Sequence, residues 1–289
     1  NILYVVLAWF MLLSVEICKA YECCLKCKGK MMIEDDFISV TEISGEQVSL
    51  EQIERLCHRY CWAGTWCVGQ DVVEVACGTG QGIGYLKGLS KSVEAGDISE
   101  PILSIARRHY KDKVSLSLFS AQNMPFPDSS KDVILIFEAI YYLPDVNQFL
   151  RECKRALRPN GKVLIATANK DLYDFNPSPN SYEYYGVVEL RELFVRNGFS
   201  CEFFGCFPVD SISWRQRLLR PIKKLMVRLG LIPRTMAGKK LLKRLVFGRL
   251  QQMPAEITAE MFPYNSPNSI ESWQADMRYK VIYCAATLN

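Results

Sequence analysis

A β-branched run, Asp71 to Ala76, passes at once into Cys77-Gly78-Thr79-Gly80-Gln81-Gly82-Ile83-Gly84, with glycine at every second position. Glycine has no side chain to pack and loses more entropy on ordering than any other residue, so alternating glycines build no core. They belong where a chain turns sharply and lets something approach its amides. The run before them reads as a buried strand. The residues after them, from about Gly82 to Leu89, read as a helix whose first amides have no partner inside the helix. A polar or anionic group is favoured there.

The same alternation of strand and helix continues along the chain. Upstream, Ser49 and Gln52 form a capping box for a helix with Leu50, Ile53, Cys57 and Tyr60 on one face. Ser92 to Asp97 is a second strand, followed by a helix whose apolar stripe is Ile98, Ile102, Ile105 and Ala106. Val114 to Phe119 is a third strand. Asp132 to Phe137 is a fourth, without polar alternation and hence buried on both faces. A helix from Val146 to Leu157 is stopped by the turn Arg158-Pro159-Asn160-Gly161, and Lys162 to Ala168 forms strand five. A helix over Val187 to Asn197 ends at Gly198, and Ser200 to Phe207 and Tyr279 to Leu288 complete seven strands. This order predicts an α/β fold with a mostly parallel sheet covered on both faces. Its ligand lies beyond the carboxyl ends of the strands, where strand order reverses. With 289 residues, 49% of them hydrophobic, one large domain with an embellishment is expected.

Two ligand classes use this geometry. A dinucleotide site requires G-x-G-x-x-G, and counting from Gly78 or from Gly80 puts Ile83 or Tyr85 at the third place. No lysine followed by serine or threonine marks a phosphate-cradling loop. These absences argue against a nicotinamide-dependent oxidoreductase. An acid, Glu74, stands four positions before the first glycine. It suits adenosylmethionine, whose amino group and sulfonium are cationic and which carries no pyrophosphate. A second acid, Asp97, ends strand two about twenty residues on, placed for ribose hydroxyls.

From about Tyr60 to Phe207, with the last strand at the C-terminus, the chain resembles the class I S-adenosylmethionine-dependent methyltransferases. VVEVACGTGQG looks like their cofactor loop, and VEAGDISEPILSIARRHY is similar to their second-strand motif. AQNMPFPDSSKDVILIFEAIYYLPD resembles the adenine loop and fourth strand, and LRPNGKVLIATAN the turn into strand five. The resemblance implies a Rossmann-like sheet of seven strands, the last antiparallel, with a helical insertion between strands six and seven over 208–275. It implies S-adenosyl-L-methionine as cofactor, contacted by Tyr60, Glu74, Ala76, Gly78, Gly80, Asp97, Ile98, Ala121, Gln122 and Glu138. The nearest branch, methyltransferase type 11, often methylates sugars or isoprenoid-linked molecules. The expected reaction is methyl transfer to a small-molecule, sugar or lipid-linked acceptor, with oxygen favoured.

Departures from that branch bear on catalysis. Where it commonly has F-E-x-x-E-H-L, this chain has Phe137-Glu138-Ala139-Ile140-Tyr141-Tyr142-Leu143, with Tyr142 in place of the histidine. After strand five, Asn176-Pro177-Ser178-Pro179-Asn180 lacks the branch's histidine, and Ser120 stands where the adenine loop usually has an acid. Gln122 can still accept from the adenine amine. Methyl transfer needs a positioned nucleophile and, for a hydroxyl, a proton acceptor. The candidates are Glu138, Tyr142 and His58, the last on the helix that covers the cofactor; His109 is read as solvent-facing. Tyrosine is a poor base at its usual pKa near 10. A non-catalytic adenosylmethionine-binding module derived from a methyltransferase is the alternative.

Cys57-His58-x-x-Cys61 with Cys67 lacks a fourth ligand and a CxxC pair, so no metal is expected, and Cys23-Cys24-x-x-Cys27 is equally thin. The twelve scattered cysteines read as free thiols in a reducing compartment. Ile2 to Val15 is apolar but short for a bilayer span and lacks a basic leader, so residues 1–30 read as a weak anchor or as a start drawn too far upstream. Residues 31–289 form the methyltransferase domain. Charge is segregated: Ser211 to Leu250 holds twelve Lys and Arg and no acid, leaving 23 basic against 31 acidic residues elsewhere. Ile222, Leu225, Met226 and Leu229 face away from Arg220, Lys223, Lys224 and Arg228 at helical spacing. Such a stretch suits either a two-helix lid whose apolar face packs on the domain and whose lysines are solvated, or a surface that rests on an anionic membrane and takes a lipid-linked substrate. Nucleic acid is not expected, because few aromatics interleave with these charges. The expected location is cytoplasmic with membrane association; the sequence leaves oligomeric state open.

Overall fold

The computed structural model describes residues 37–38, 40–178, 180–209 and 250–289; the N-terminal apolar run and the basic stretch from 210 to 249 lie outside the described residues. The elements are β1 (Gln47–Ser49), α1 (Leu50–Cys67), β2 (Asp71–Val75), α2 (Ile83–Leu89), β3 (Ser92–Asp97), α3 (Glu100–Tyr110), β4 (Ser115–Leu118) and β5 (Lys131–Phe137). They continue with α4 (Val146–Ala156), β6 (Leu157–Ala168), α5 (Val187–Arg196), β7 (Phe199–Pro208), β8 (Leu250–Gln252), β9 (Asn268–Ser269) and β10 (Tyr279–Leu288).

The main sheet runs β4-β3-β2-β5-β6-β10-β7-β9. The first five strands in that order are parallel, and β10 lies antiparallel between β6 and β7. The reversal of strand order falls between β2 and β5, which fixes the ligand crevice at their carboxyl ends. A two-residue strand, β9, pairs antiparallel with β7 and makes eight strands where seven were expected.

Neighbouring strand residues point to opposite cores. Val72, Leu135, Leu164 and Tyr283 face α1 and α2, whereas Val73, Ile134, Val163 and Ile282 face α4 and α5. Both parities are apolar, so the central strands are buried on both sides, and each fully buried aliphatic side chain contributes about 1.5–3 kcal/mol. α1 starts at the expected capping box, with Gln52 N donating to Ser49 Oγ at 3.3 Å.

Four expectations are corrected. Leu50, the first residue of α1, is 46% exposed, and Leu56 takes the buried position beside Ile53, Cys57 and Tyr60. Ile98 precedes α3 and is 45% exposed, while Leu103 and Tyr110 join Ile102 and Ala106 in its buried stripe. Arg158-Pro159-Asn160-Gly161 is not a separate turn but an irregularity inside β6, whose register against β5 shifts between Lys131 and Val133. Asn160 sits there at φ +64 and absorbs the kink. Finally, the described C-terminal part of the insertion is extended and not helical. There, β8 pairs antiparallel with β1.

Candidate active site

The glycine turn begins with Ala76 at φ +54, a conformation that favours glycine, and continues through Gly78 at +60 and Gly80 at +79. Gly82 has a different constraint. A Cβ there would lie 2.1 Å from the ring of Tyr60, so bare backbone is what lets α1 pack on the turn. Tyr60 uses that closeness: its hydroxyl donates to Glu74 Oε1 at 2.5 Å, and its ring meets Phe137 edge-on at 5.3 Å. The other carboxylate oxygen, Glu74 Oε2, is buried and without a partner. Burial pushes Glu74 up to about 7, against the opposing pull of Tyr60 and Arg59.

Asp97 closes β3. Its Oδ2 accepts from Gly78 N and its Oδ1 from Ser99 N, both at 2.9 Å. Burial raises its pKa while these amides lower it. Exposed Ile98 follows directly, an apolar side chain left for something else to cover. The loop after β4 is braced from α4. Gln148 Nε2 donates to Gln122 O at 3.3 Å, and Glu152 accepts from Met124 N at 2.8 Å. Ser120, standing where an acid was expected, caps this turn by accepting from Gln122 N at 3.2 Å. Ala121 is buried beside it.

A strap lies on the glycine turn. Glu42 O accepts from Gln81 Nε2 at 2.6 Å, Ser44 N donates to Thr79 Oγ1 at 3.2 Å, and Arg59 Nη2 reaches Glu42 Oε2 at 2.8 Å. From the other side Ile257 N donates to Gln81 O at 2.8 Å.

Glu138 stands one residue past β5 at φ +50, its amide donating to Ala166 O at 2.8 Å. Tyr141 donates to Glu138 Oε2 at 3.1 Å. Burial raises the pKa of Glu138, and Arg59 opposes it. The hydroxyl of Tyr142 pairs with Ser178 Oγ, and burial pushes Tyr142 up to about 12, which removes it as a proton acceptor near neutral pH.

His58 is elsewhere engaged. Its Nε2 donates to Asn265 O at 2.8 Å, since a carbonyl can only accept, which leaves Nδ1 to accept from Tyr283 at 3.0 Å. Both nitrogens of the neutral ring are used, and burial lowers its pKa. His109 is exposed, as expected, and pairs at the surface with Glu256 at 2.9 Å. Cys57 Sγ lies 4.0 Å from Met261 Sδ, and among the described residues no three potential ligands cluster around a metal position.

So Tyr60, Glu74, Ala76, Gly78, Gly80 and Asp97 converge on one turn, with Glu138 across the crevice. Arg59, Glu42, Tyr141 and Tyr184 were missed by sequence reasoning. Arg59 alone left a signal there, as a charge two residues from Cys57 on the helix read as covering the cofactor.

The sequence profile of the methyltransferase domain family matches residues 73–165. A protein of Mycolicibacterium smegmatis named "probable S-adenosylmethionine-dependent methyltransferase" is 33% identical over 153 residues, 52% of this chain and 56% of that one. The ubiquinone/menaquinone biosynthesis C-methyltransferase UbiE of Hahella chejuensis is 31% identical over 129 residues, 38% of this chain and 52% of that one. The YcgJ protein of Bacillus subtilis superposes with a TM-score of 0.52 at 17% identity, over 80% of this chain and 98% of that one. Residues 73–165 thus match a methyltransferase domain, and the Bacillus protein shares the fold. The chain spans about half the length of the curated relatives it matches.

The Mycolicibacterium relative is named as S-adenosylmethionine-dependent, and the residues present in this chain fit that cofactor. The orphaned Glu74 Oε2 provides a buried acceptor for a cation, Asp97 a carboxylate for hydroxyls, and Ile98 an uncovered apolar face. Among the described residues no helix is long and apolar enough to cross a membrane.

Proposed function

We propose that the protein is an S-adenosylmethionine-dependent methyltransferase whose acceptor is a small molecule that loses a proton on methylation. The observation that carries this reading is Glu74 Oε2, a buried carboxylate oxygen beside the glycine turn that has no donor among the described residues. An unmet buried acceptor is costly and calls for a cationic ligand group.

When bound, the cofactor supplies a methyl group on a positively charged sulfur. The chain's own residues then bind, orient and deprotonate. Glu74, held by Tyr60, meets the cofactor's amino group. Asp97 takes ribose hydroxyls, and Ile98, Ala121 and Gln122 take the adenine. Glu138 takes the acceptor's proton; a buried carboxylate with a raised pKa is a better base than one in water. Oxygen is the favoured acceptor atom. Carbon is the second possibility, supported by the printed name of the Hahella relative.

A non-catalytic binding module is the second reading, favoured by Tyr142, which stands at the histidine position and is tied to Ser178. Calorimetric titration with adenosylmethionine and adenosylhomocysteine, repeated on Gly80→Arg, separates the possibilities. Micromolar binding lost in the variant, with methylation in a screen of hydroxylated acceptors, supports the enzyme. Binding without turnover across that screen supports the module, and no binding of either ligand sinks both.

The basic stretch from Ser211 to Leu250 supports a further element of this reading: a cytoplasmic protein resting on an anionic membrane that delivers a lipid-linked acceptor. Flotation with anionic and neutral vesicles tests it, and equal recovery from both would sink it.

A further inference from the structure

The two oxygens of Glu138 are not equivalent. Oε2 accepts from the hydroxyl of Tyr141 at 3.1 Å. Oε1 has no hydrogen-bond partner among the described residues. A carboxylate held by one oxygen and unpaired at the other has a fixed orientation and a free base.

Tyr141 is itself held on two sides. Its ring stacks on Tyr184 at 4.0 Å and 18°. Its carbonyl accepts from Tyr182 N at 2.8 Å. Tyr184 in turn is fixed by Ser178, whose amide donates to its hydroxyl at 3.1 Å, and by Phe175, edge-on at 4.8 Å. All of these contacts come from the segment 175–184, between β6 and α5. Packing alone would be served by phenylalanine. The buried hydroxyl of Tyr141 is explained by the carboxylate it meets.

We propose that Tyr141 is a positioning residue, holding Glu138 by Oε2 so that Oε1 meets the acceptor's hydroxyl, and that segment 175–184 fixes Tyr141 for this task. The inference rests on the methyltransferase reading above. In the step it serves, the acceptor's O–H proton passes to Oε1 as the acceptor oxygen bonds to the methyl carbon. The carbon–sulfur bond breaks and its electron pair stays on sulfur, giving a neutral thioether. The proton then sits on Glu138 until it exchanges with water. Tyr141 gives up no proton; it stabilises the ionised form of Glu138. The other charged or titratable groups near this carboxylate are Arg59 and Arg55 from α1, Glu42 from the strap, Tyr142 and Tyr184, and Tyr283 from β10.

The test is carbon-13 NMR titration of the glutamate side-chain carboxyls in the full chain, with the Glu138 signal assigned by its loss in Glu138→Gln. A hydrogen bond donated to a carboxylate favours its charged form, so Tyr141→Phe is expected to raise the Glu138 midpoint by about 1 to 2 pH units. Tyr184→Phe, which loosens Tyr141 without touching Glu138, is expected to raise it by less. Tyr142→Phe is expected to leave it in place. An unchanged midpoint in a folded Tyr141→Phe protein overturns the proposal. Should that variant fail to fold, Tyr184→Phe decides, and no change there overturns it equally. Adenosylhomocysteine titrations on the same samples keep the two readings apart. A shifted midpoint in a chain that does not bind the ligand sinks the methyltransferase reading and leaves Tyr141's hold on Glu138, whereas ligand binding with an unshifted midpoint sinks only the positioning role.

Discussion

Glu74 lies in β2 and Glu138 one residue past β5, the neighbouring strand, and both are carboxylates whose pKa burial raises. Around Glu74 and Asp97 much of the work is done by backbone close in sequence. Gly78 and Ser99 supply amides, and the turn between Ala76 and Gly80 takes left-handed conformations. Around Glu138 the surroundings are side chains: Tyr141, three residues on, and from distant segments Tyr184 and Ser178 before α5 and Arg59 on α1. A cofactor that is the same across a family can be met by a local turn. An acceptor that differs is met by side chains, which change without disturbing the fold.

The comparison breaks most visibly on the cofactor side. Gly82→Val puts a side chain where Tyr60 now packs, displaces Tyr60 from Glu74 and strains the turn. A cost of about 3 kcal/mol, typical of such strain, corresponds to at least about 100-fold weaker adenosylhomocysteine binding by calorimetry. The Glu138 titration is expected to survive this change.

Glu74→Gln has a smaller effect and a pH signature. Losing a charged hydrogen-bond partner of the cofactor's amino group weakens binding about 10- to 100-fold. The pKa of Glu74 in the folded chain, about 7, lies above its ordinary value of 4.5. Its neutral form is therefore favoured by folding. That contribution is fully present below pH 4.5 and is lost as pH rises through about 7, by up to ~3 kcal/mol. Ligand-free protein should lose thermal stability across this window, and Glu74→Gln should lose less. A cationic ligand group reverses the preference, so wild-type binding should tighten over the same window while the variant's stays flat. A flat wild-type profile would remove Glu74 from the cofactor site.

The smallest change sharpens the acceptor side. Tyr142→Phe removes one exchangeable bond to Ser178 and nothing from the glycine turn. Cofactor affinity should stay within about twofold and stability within about 1 kcal/mol. A tenfold loss of cofactor affinity would mean that the two sides are not separate.

The amino-acid sequence by itself determined the succession of strands and helices and the glycine turn, and it pointed to the ligand class. Each depends on residues close together: two apolar parities in a strand, glycines at fixed offsets, an acid four positions ahead. It misjudged Ile98 and Leu50, because a helical stripe shows which residues are apolar and not which of them a neighbour covers. It read Arg158 to Gly161 as a break, because the pairing with β5 that draws these residues into β6 is not local. His58 looked available in sequence, and only the tertiary structure brought Asn265 and Tyr283 to its two nitrogens. The acceptor side was hidden for the same reason. Tyr141, Tyr184 and Arg59 lie up to 125 residues apart in the chain, and their common relation to one carboxylate exists only after the sheet has brought α1, the end of β5 and the segment before α5 to one edge.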